Sequence, residues 1–371
     1  MDCADLGAHA SCVQGFRRRP MPECARLAGR MPAPPGDQQA VGLRPQRVAH
    51  PGNFVYISTV QIQSEICAEG ITSMKRFSEK FFALILLISF FSLAPGQNAP
   101  PSTDIFLADI ENRDGRLTFS QPANITRREG YDNQPYFLPD GASLLFTSIR
   151  EGTLPDIYRY TLADKSTTQM TRTTEGEYSP TPAGKFFSVI RVEADQTQRL
   201  WKFPFDGGAP SLVLENIKPV GYHCWMDENT LALFVLGRPA TLQIADTRTG
   251  KAEVVESNIG RSLHRHPLRG SLTFVHKLSE TEWLIKEMDI KTRKAETITR
   301  TIAGSEDFVW TRDAVMLMAN GAKLFKFDPA KDKEWQQVAD FTSAGIKTIT
   351  RLALSPRGDR LALVASLEAA R

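Results

Sequence analysis

Short apolar runs, each bounded by turn-forming residues, recur along most of the chain. The segment 134–148 reads QPYFLPDGASLLFTS, which is an apolar run, a Pro-Asp-Gly turn and a second apolar run. Aromatic and aliphatic residues favour packed strands, and Pro and Gly supply the dihedral angles of a tight turn. The same plan returns at 178–190, 222–236, 264–275, 307–319 and 352–365, with turn positions 42 to 45 residues apart: Gly141, Gly184, Glu228, Gly270, Asp313 and Gly358. The pattern predicts six repeated hairpins.

Each of the first five hairpins is followed by two more strand-like runs. The third runs occupy 156–162, 199–205, 241–247, 283–289 and 323–329, and the weaker fourth runs occupy 166–172, 210–216, 252–258, 295–301 and 335–341. Four short strands in about 43 residues are typical of one blade of a β-propeller. The sequence therefore predicts an all-β fold with no helical domain after residue 97.

The two ends of the repeat region complement each other. The sixth unit provides only two strands, whereas the first strand, DIFLADI at 104–110, has no hairpin before it and matches the third-strand pattern of DIYRYTL at 156–162. Pairing the N-terminal strands with the C-terminal hairpin would complete a sixth blade and remove two exposed sheet edges. We therefore predict a six-bladed β-propeller over 98–371, closed by its termini, in preference to an open β-solenoid or a sandwich.

The best-preserved unit resembles the repeat of the TolB propeller family. The resemblance rests on Leu138-Pro139-Asp140-Gly141, Thr147-Ser148-Ile149-Arg150, Asp156-Ile157-Tyr158, Met170-Thr171 and Ser355-Pro356-Arg357-Gly358. It implies blade architecture, and it implies little about activity. TolB-like blades occur in an envelope translocation protein, in accessory domains of serine peptidases and in many exported proteins.

The segment before the repeats is typical of a secretory signal peptide. Met74 is followed by Lys75, Arg76 and Lys80, then by a charge-free apolar run over 81–93 and by small, turn-forming residues. The run is too short for a membrane span, which needs about 20 residues. We expect a signal peptide at 74–97, a mature start within 97–100 and a periplasmic or secreted protein. Residues 1–73 are then a spurious or disordered extension; a genuine extension before a weak internal anchor is the alternative.

Charge narrows the choice of partner. Residues 98–371 carry 35 Lys and Arg against 35 Asp and Glu, so the predicted propeller has no net charge. A neutral body lacks the basic footprint of nucleic-acid binding and has no reason to adhere to an anionic membrane. We expect a protein or peptide partner in the cell envelope.

The search for catalytic motifs is negative. The sequence has no G-x-S-x-G, H-E-x-x-H, G-x-x-x-x-G-K-[ST] or G-x-G-x-x-G pattern. His264 and His266 share a strand face but have no obvious third ligand for a metal, and His223 and Cys224 are expected to point to opposite faces. We predict no catalytic residue, no cofactor and no metal site.

Propellers usually bind ligands at the mouth of the central channel. The innermost strands should begin at this mouth, six or seven residues before each turn. Counting back by that distance places a mixed set of polar and aromatic residues there: Gln134, Glu177, Tyr178, Tyr222, His264, Glu306, Asp307 and Arg351. Such a set suits a peptide or sugar, although it could equally line a water-filled channel. The favoured hypothesis is a non-enzymatic binding or scaffold protein. The alternative is a hydrolase or lyase for a sugar, lactone or peptide, with Glu177, His264, Glu306 and Asp307 converging on one point.

Overall fold

Twenty-five strands and one short 3-10 helix (Thr342–Ala344) form the part of the chain that the computed structural model describes, residues 100–150, 152 and 154–367. The strands make six antiparallel sheets, the blades. The predicted signal peptide and the extension before it lie outside the described residues. Within the described residues, no helix has the length and apolar character needed to cross a bilayer.

The blades share one strand order. The innermost strands are β4 (Asp132–Phe137), β8 (Gly176–Ala183), β12 (Val220–Trp225), β16 (Ile259–Arg265), β20 (Phe308–Trp310) and β24 (Ile346–Leu354). The second strands are β5 (Ser143–Ser148), β9 (Phe186–Val192), β13 (Thr230–Val235), β17 (Leu272–Lys277), β21 (Met316–Asn320) and β25 (Arg360–Leu367). The third strands are β6 (Asp156–Thr161), β10 (Gln198–Pro204), β14 (Thr241–Asp246), β18 (Trp283–Met288), β22 (Lys323–Phe327) and β1 (Asp104–Arg113). The outermost strands are β7 (Thr167–Gln169), β11 (Ser211–Leu212), β15 (Lys251–Ser257), β19 (Ala295–Arg300), β23 (Gln336–Asp340), and β2 (Arg116–Phe119) with β3 (Ala123–Asn124).

The blades form a closed ring around a central channel. Numbered from β4, they run from blade 1 (β4 to β7) to blade 6 (β24, β25 and β1 to β3). Each innermost strand contacts the innermost strand of the next blade, and β24 of blade 6 contacts β4 of blade 1. The predicted six-bladed β-propeller is confirmed.

Closure by the termini is confirmed as well. Strand β1 pairs antiparallel with β25, in a register that runs from Asp104 opposite Ala365 to Asp109 opposite Arg360. The side chain of Ile105 is fully buried in this blade, as is that of Ile157 at the matching third-strand position of blade 1. The N-terminal strand β1 is therefore the third strand of blade 6, the position for which the C-terminal repeat supplies no strand.

The core is divided among the blade interfaces. In the described part of the chain, six apolar clusters each join two neighbouring blades. One of them, for example, packs Ile105 and Val364 of blade 6 against Leu144, Phe146 and Tyr158 of blade 1. Fully burying a large apolar side chain stabilises a fold by about 1.5–3 kcal/mol, so stability resides between the sheets.

The hairpin turns behave as the sequence pattern requires. Gly141 and Gly358 take positive φ values of 68° and 75°, which L-residues with a side chain adopt only with strain. In blade 5, where the sequence has no glycine at the turn, Ala314 takes φ 57° instead. Five of the six described hairpin turns thus contain a residue with positive φ, and the blade 3 turn at 226–230 is the exception.

Candidate functional site

The innermost strands are irregular where they face the channel. Their pairing with the second strands shifts register in five of the six described blades, β20 being regular. Gln134 and Ser179 at two of these shifts have positive φ values of 56° and 53°. A bulge re-aims side chains and interrupts the ladder, and bulges are frequent next to functional sites. These irregularities determine which side chains enter the channel.

A cavity of about 540 Å³ occupies the channel. Five of the eight residues predicted for the channel mouth line it: Gln134, Tyr222, His264, Asp307 and Arg351. The lining continues along the innermost strands to residues near their ends, including Trp225, Trp310 and Pro356. The cavity thus extends from the level of the predicted set towards the turns that end the innermost strands.

A bridge crosses the channel at one end of the cavity. Arg351 Nη2 of blade 6 donates a hydrogen bond of 2.7 Å to the hydroxyl oxygen of Tyr222 in blade 3, and these two blades are opposite each other in a ring of six. Arg351 Nη1 also donates to Asp307 Oδ2 at 3.2 Å, and Asp307 Oδ1 accepts the Leu352 backbone N–H at the same distance. The Arg351 side chain is thereby fixed by charge and hydrogen bonds on both sides.

Gln134 links two neighbouring blades at the same level. Its Oε1 accepts hydrogen bonds of 2.9 Å from both the Thr147 hydroxyl and the Ser179 backbone N–H. The Ser179 hydroxyl oxygen, by contrast, is buried and has no hydrogen-bond partner. A buried polar atom without a partner is costly, which makes it a natural point of contact for a ligand or water.

The other three predicted residues do not line the cavity. Glu177 is fully buried, accepts hydrogen bonds from Thr173 Oγ1 (2.5 Å) and Arg191 Nε (3.1 Å), and has its pKa raised by burial to about 7. Burial also raises the pKa of Tyr178. Both residues lie in β8, so they support the channel wall.

Glu306 is likewise occupied by structural contacts. Its carboxylate accepts the Arg261 backbone N–H and forms an ion pair of 3.0 Å with Lys277 Nζ. Burial raises its pKa, but the Arg261 N–H and the charges of Arg261 and Lys277 outweigh that effect and lower the pKa overall. Glu306 therefore remains ionised and holds the backbone of β16.

The four residues named for an enzymatic site do not converge through their contacts. His264 and Asp307 share the cavity and interact electrostatically, whereas Glu177 and Glu306 are paired with cations elsewhere. Burial lowers the pKa of His264, whose ring packs edge-on against Phe308 at 4.8 Å. Within the described residues, no three His, Cys, Asp or Glu side chains are grouped so that they could hold a metal ion.

Comparison with known proteins rests on structure alone. No protein-family model matches the chain, and no curated protein matches it in sequence. The structure of a putative TolB from Agrobacterium tumefaciens aligns with a TM-score of 0.57 at 16% identity, over 72% of this chain and 100% of that one. The chain folds as a TolB-like six-bladed β-propeller.

Other solved structures superpose more loosely. An oligogalacturonate lyase in complex with manganese aligns at 14% identity over 70% of this chain and 85% of its own, with a TM-score of 0.47. TolB from Acinetobacter baumannii aligns at 13% identity over 73% of this chain and 66% of its own, with a TM-score of 0.45. Among these comparisons, the alignment with the structure from Agrobacterium tumefaciens supports the fold of the TolB-like propeller, and at 16% identity it shows nothing about activity.

Sequence reasoning missed several side chains of the TolB-like channel. Tyr136, with 47% of its surface exposed, lines the cavity together with Arg261 and Arg265. Trp225 and Trp310, which the sequence places in apolar strands, also line it, while their indole N–H groups donate at 2.9 Å to Ser188 and Thr273 of the preceding blades. A count along the regular repeat could not find the bulged positions. The residues near the ends of the innermost strands could have been found by extending the prediction from the starts of these strands to their ends.

His223 and Cys224 do not form a nucleophile pair. His223 is buried against blade 2, where its Nε2 lies 2.7 Å from Ser188 Oγ, and burial lowers its pKa to about 3. Cys224 packs beside Met226, and burial raises the pKa of its thiol to about 12. The imidazole is neutral, the thiol is protonated, and the two side chains lie on different sides of one strand. Both side chains therefore contribute to the packing of the propeller.

Proposed function

We propose that this TolB-like propeller is a non-enzymatic binding protein that takes a segment of a protein partner into the channel cavity. The observation that carries the proposal is the composition of the cavity. Its volume of about 540 Å³ lies within the range of pockets that bind ligands, and its lining includes exposed Tyr136, Trp225, Trp310 and several polar groups. Aromatic side chains with nearby polar groups suit an extended peptide, because they contact side chains and backbone alike.

The state of the ionisable groups supports binding in preference to catalysis. The carboxylates of Glu177, Glu306 and Asp307 are each engaged by a different cation. Catalytic acids and bases need a free proton-transfer position close to the reacting atoms. Groups held in separate ion pairs are suited to fixing the walls of a site.

An unbiased peptide selection tests this proposal. A displayed random-peptide library is panned against the purified protein, and the affinities of the recovered peptides are measured for the wild type, Tyr136→Ala and Val254→Ala. Val254 is the control because it is also exposed, at 59%, but lies on outermost strand β15. We expect the peptides to bind at least about tenfold more weakly to Tyr136→Ala, since a buried aromatic anchor contributes above 1 kcal/mol to an interface. Recovery of no peptide, or equal affinity for both variants, would overturn the proposal.

The proposed setting is the periplasm or the cell exterior. The apolar segment after Met74 and its basic start support export, and an envelope partner follows from that location. N-terminal sequencing of protein recovered from the exported fraction tests this part. We expect a mature start within residues 97–100; a full-length chain that stays inside the cell would contradict it.

A further inference from the structure

Two arginines of blade 4 stand out because, within the described residues, their guanidinium groups have no hydrogen-bond or ion-pair partner. Arg261 and Arg265 both belong to β16 and both line the channel cavity. Among the described residues, neither forms an ion pair within 4 Å, and neither side chain donates a hydrogen bond. The Nε of Arg261 is buried without a partner. A buried guanidinium N–H without an acceptor is unfavourable, so such an arrangement calls for an acceptor from outside the chain.

The backbone around Arg261 is built to hold it in place. The register of β16 against β17 shifts between Ile259 and Leu263, which places Arg261 within the irregular stretch. The Glu306 carboxylate accepts the Arg261 backbone N–H, and Gly260 lets it approach, because a Cβ there would lie 2.6 Å from Glu306 Oε1. Glu306 thus anchors the main chain while the Arg261 guanidinium forms no direct contact with it.

The cavity as a whole is positively charged although the propeller is not. Its ionised lining residues are Arg261, Arg265 and Arg351 against Asp307 alone, and Asp307 is already engaged by Arg351. Burial lowers the pKa values of His223 and His264, so these rings add no positive charge at neutral pH. The positive charge that lacks an ion-pair partner is therefore concentrated on blade 4, where Arg261 interacts with Glu306 only at longer range.

The two arginines lie at different depths. Arg261 acts electrostatically on Tyr131, as does Arg351 of the bridge, which places Arg261 near that end of the cavity. Arg265 is exposed at the end of β16 and interacts with Cys224. Four residues of strand span about 13 Å, which is the length of a short extended peptide. Arg265 therefore lies towards the exposed end of β16, and Arg261 lies towards the bridge.

We infer that the cavity recognises carboxylates of an acidic peptide segment through Arg261 and Arg265. The planar guanidinium presents donors in a fork that matches a carboxylate, and the surrounding aromatic walls accommodate the peptide. The unpartnered hydroxyl of Ser179, also in the cavity lining, offers a further polar contact. This inference rests on the proposed function, because it specifies the chemistry of the segment that the channel takes up.

The peptides recovered from the unbiased selection provide the first test. We expect enrichment of Asp and Glu in peptides selected on the wild type, and no such enrichment on the double variant Arg261→Gln with Arg265→Gln. Peptides that bind through Tyr136 without acidic enrichment would leave the proposed function intact and overturn this inference. The absence of any bound peptide would overturn both.

Affinity measurements give the second test. For one recovered peptide and its Asn/Gln isostere, Kd is measured with the wild type, Arg261→Gln, Arg261→Lys and Arg248→Gln. Arg248 is the control, because it loses the same charge from an exposed turn far from the lining. We expect about tenfold or greater weakening by Arg261→Gln and by the isostere, weaker binding at high salt and no change for Arg248→Gln. Arg261→Lys keeps the charge and should retain part of the affinity.

Circular dichroism of each variant checks that the fold is retained. Acidic peptide binding that is equal in Arg261→Gln and in the wild type would overturn the inference. A tri-uronate oligosaccharide is measured in parallel as another source of carboxylates. Arginine-dependent binding of the sugar, with no binding of acidic peptides, would also overturn it.

Discussion

The Arg351 guanidinium reaches across the central channel and donates a hydrogen bond of 2.7 Å to the Tyr222 hydroxyl on the opposite blade. The same arginine stands over the Tyr222 ring, with 5.0 Å between Cζ and the ring centroid. Blade 6 and blade 3 are far apart in sequence, so this contact ties the two halves of the ring together. It also forms one end of the cavity that we propose as the binding site.

Replacing Tyr222 by Phe tests the bridge. The substitution removes the acceptor of a hydrogen bond from a charged group, and such bonds contribute about 1.5–3 kcal/mol. We expect Tyr222→Phe to lower the free energy of unfolding by about that amount in urea denaturation. Tyr136→Phe, which removes a hydroxyl from an exposed tyrosine of the same cavity, is the matched control. Equal stability of the two variants would show that the bridge contributes nothing.

Closure of the ring is tested by truncating one side chain in the N-terminal strand. Ile105 is fully buried, as is Ile157 at the equivalent position of blade 1. Because Ile→Ala substitutions in a core cost about 2–5 kcal/mol, we expect Ile105→Ala and Ile157→Ala to destabilise the protein comparably. Thermal and urea unfolding provide the measurement. A neutral Ile105→Ala beside a damaging Ile157→Ala would contradict closure by β1.

The buried His223 predicts a loss of stability at low pH. Burial lowers its folded-state pKa from 6.5 to about 3, so the unfolded chain takes up a proton that the folded chain refuses. Its contribution to stability is present above pH 6.5 and is lost as the pH falls towards 3. In His223→Gln, where an amide replaces the imidazole next to Ser188, this part of the pH dependence should disappear. Parallel curves for the two proteins between pH 6.5 and 4 would contradict the assignment.

Glu177 predicts the opposite slope of stability against pH, in a range that overlaps that of His223. Burial raises its folded-state pKa from 4.5 to about 7, so the folded state favours the protonated form. Its contribution is present below pH 4.5 and is lost as the pH rises through 7. Glu177→Gln should flatten this decline in denaturation curves recorded between pH 4.5 and 8. A wild-type decline that the substitution leaves unchanged would assign it to another group.

The sequence was sufficient for the architecture and only partly sufficient for the site. The spacing of turns such as Gly141 and Gly358 predicts the number of blades, because each blade begins with the same strand–turn–strand hairpin. The likeness of 104–110 to 156–162 predicts the closing strand for the same reason. Both predictions depend only on local structure that repeats along the chain.

The cavity depends on departures from that periodicity. Counting back from the turns found Arg351 and Tyr222, yet the same count selected Glu306 and passed over Arg261. The register shift between β16 and β17 within blade 4 and the close approach of Glu306 to Gly260 accompany that difference, and neither follows from the spacing of the repeat. The pairing of Glu177 with Arg191 likewise becomes visible only once two strands are aligned.

The central claim is that a partner segment occupies the channel cavity. Hydroxyl-radical footprinting followed by mass spectrometry measures it most directly, with and without a peptide from the unbiased selection. We predict that oxidation of Tyr136, Trp225 and Trp310 in the cavity falls when the peptide is bound, while oxidation of Trp335, which packs against Phe327 away from the cavity, does not change. Unchanged oxidation of the three cavity residues at saturating peptide would contradict the claim.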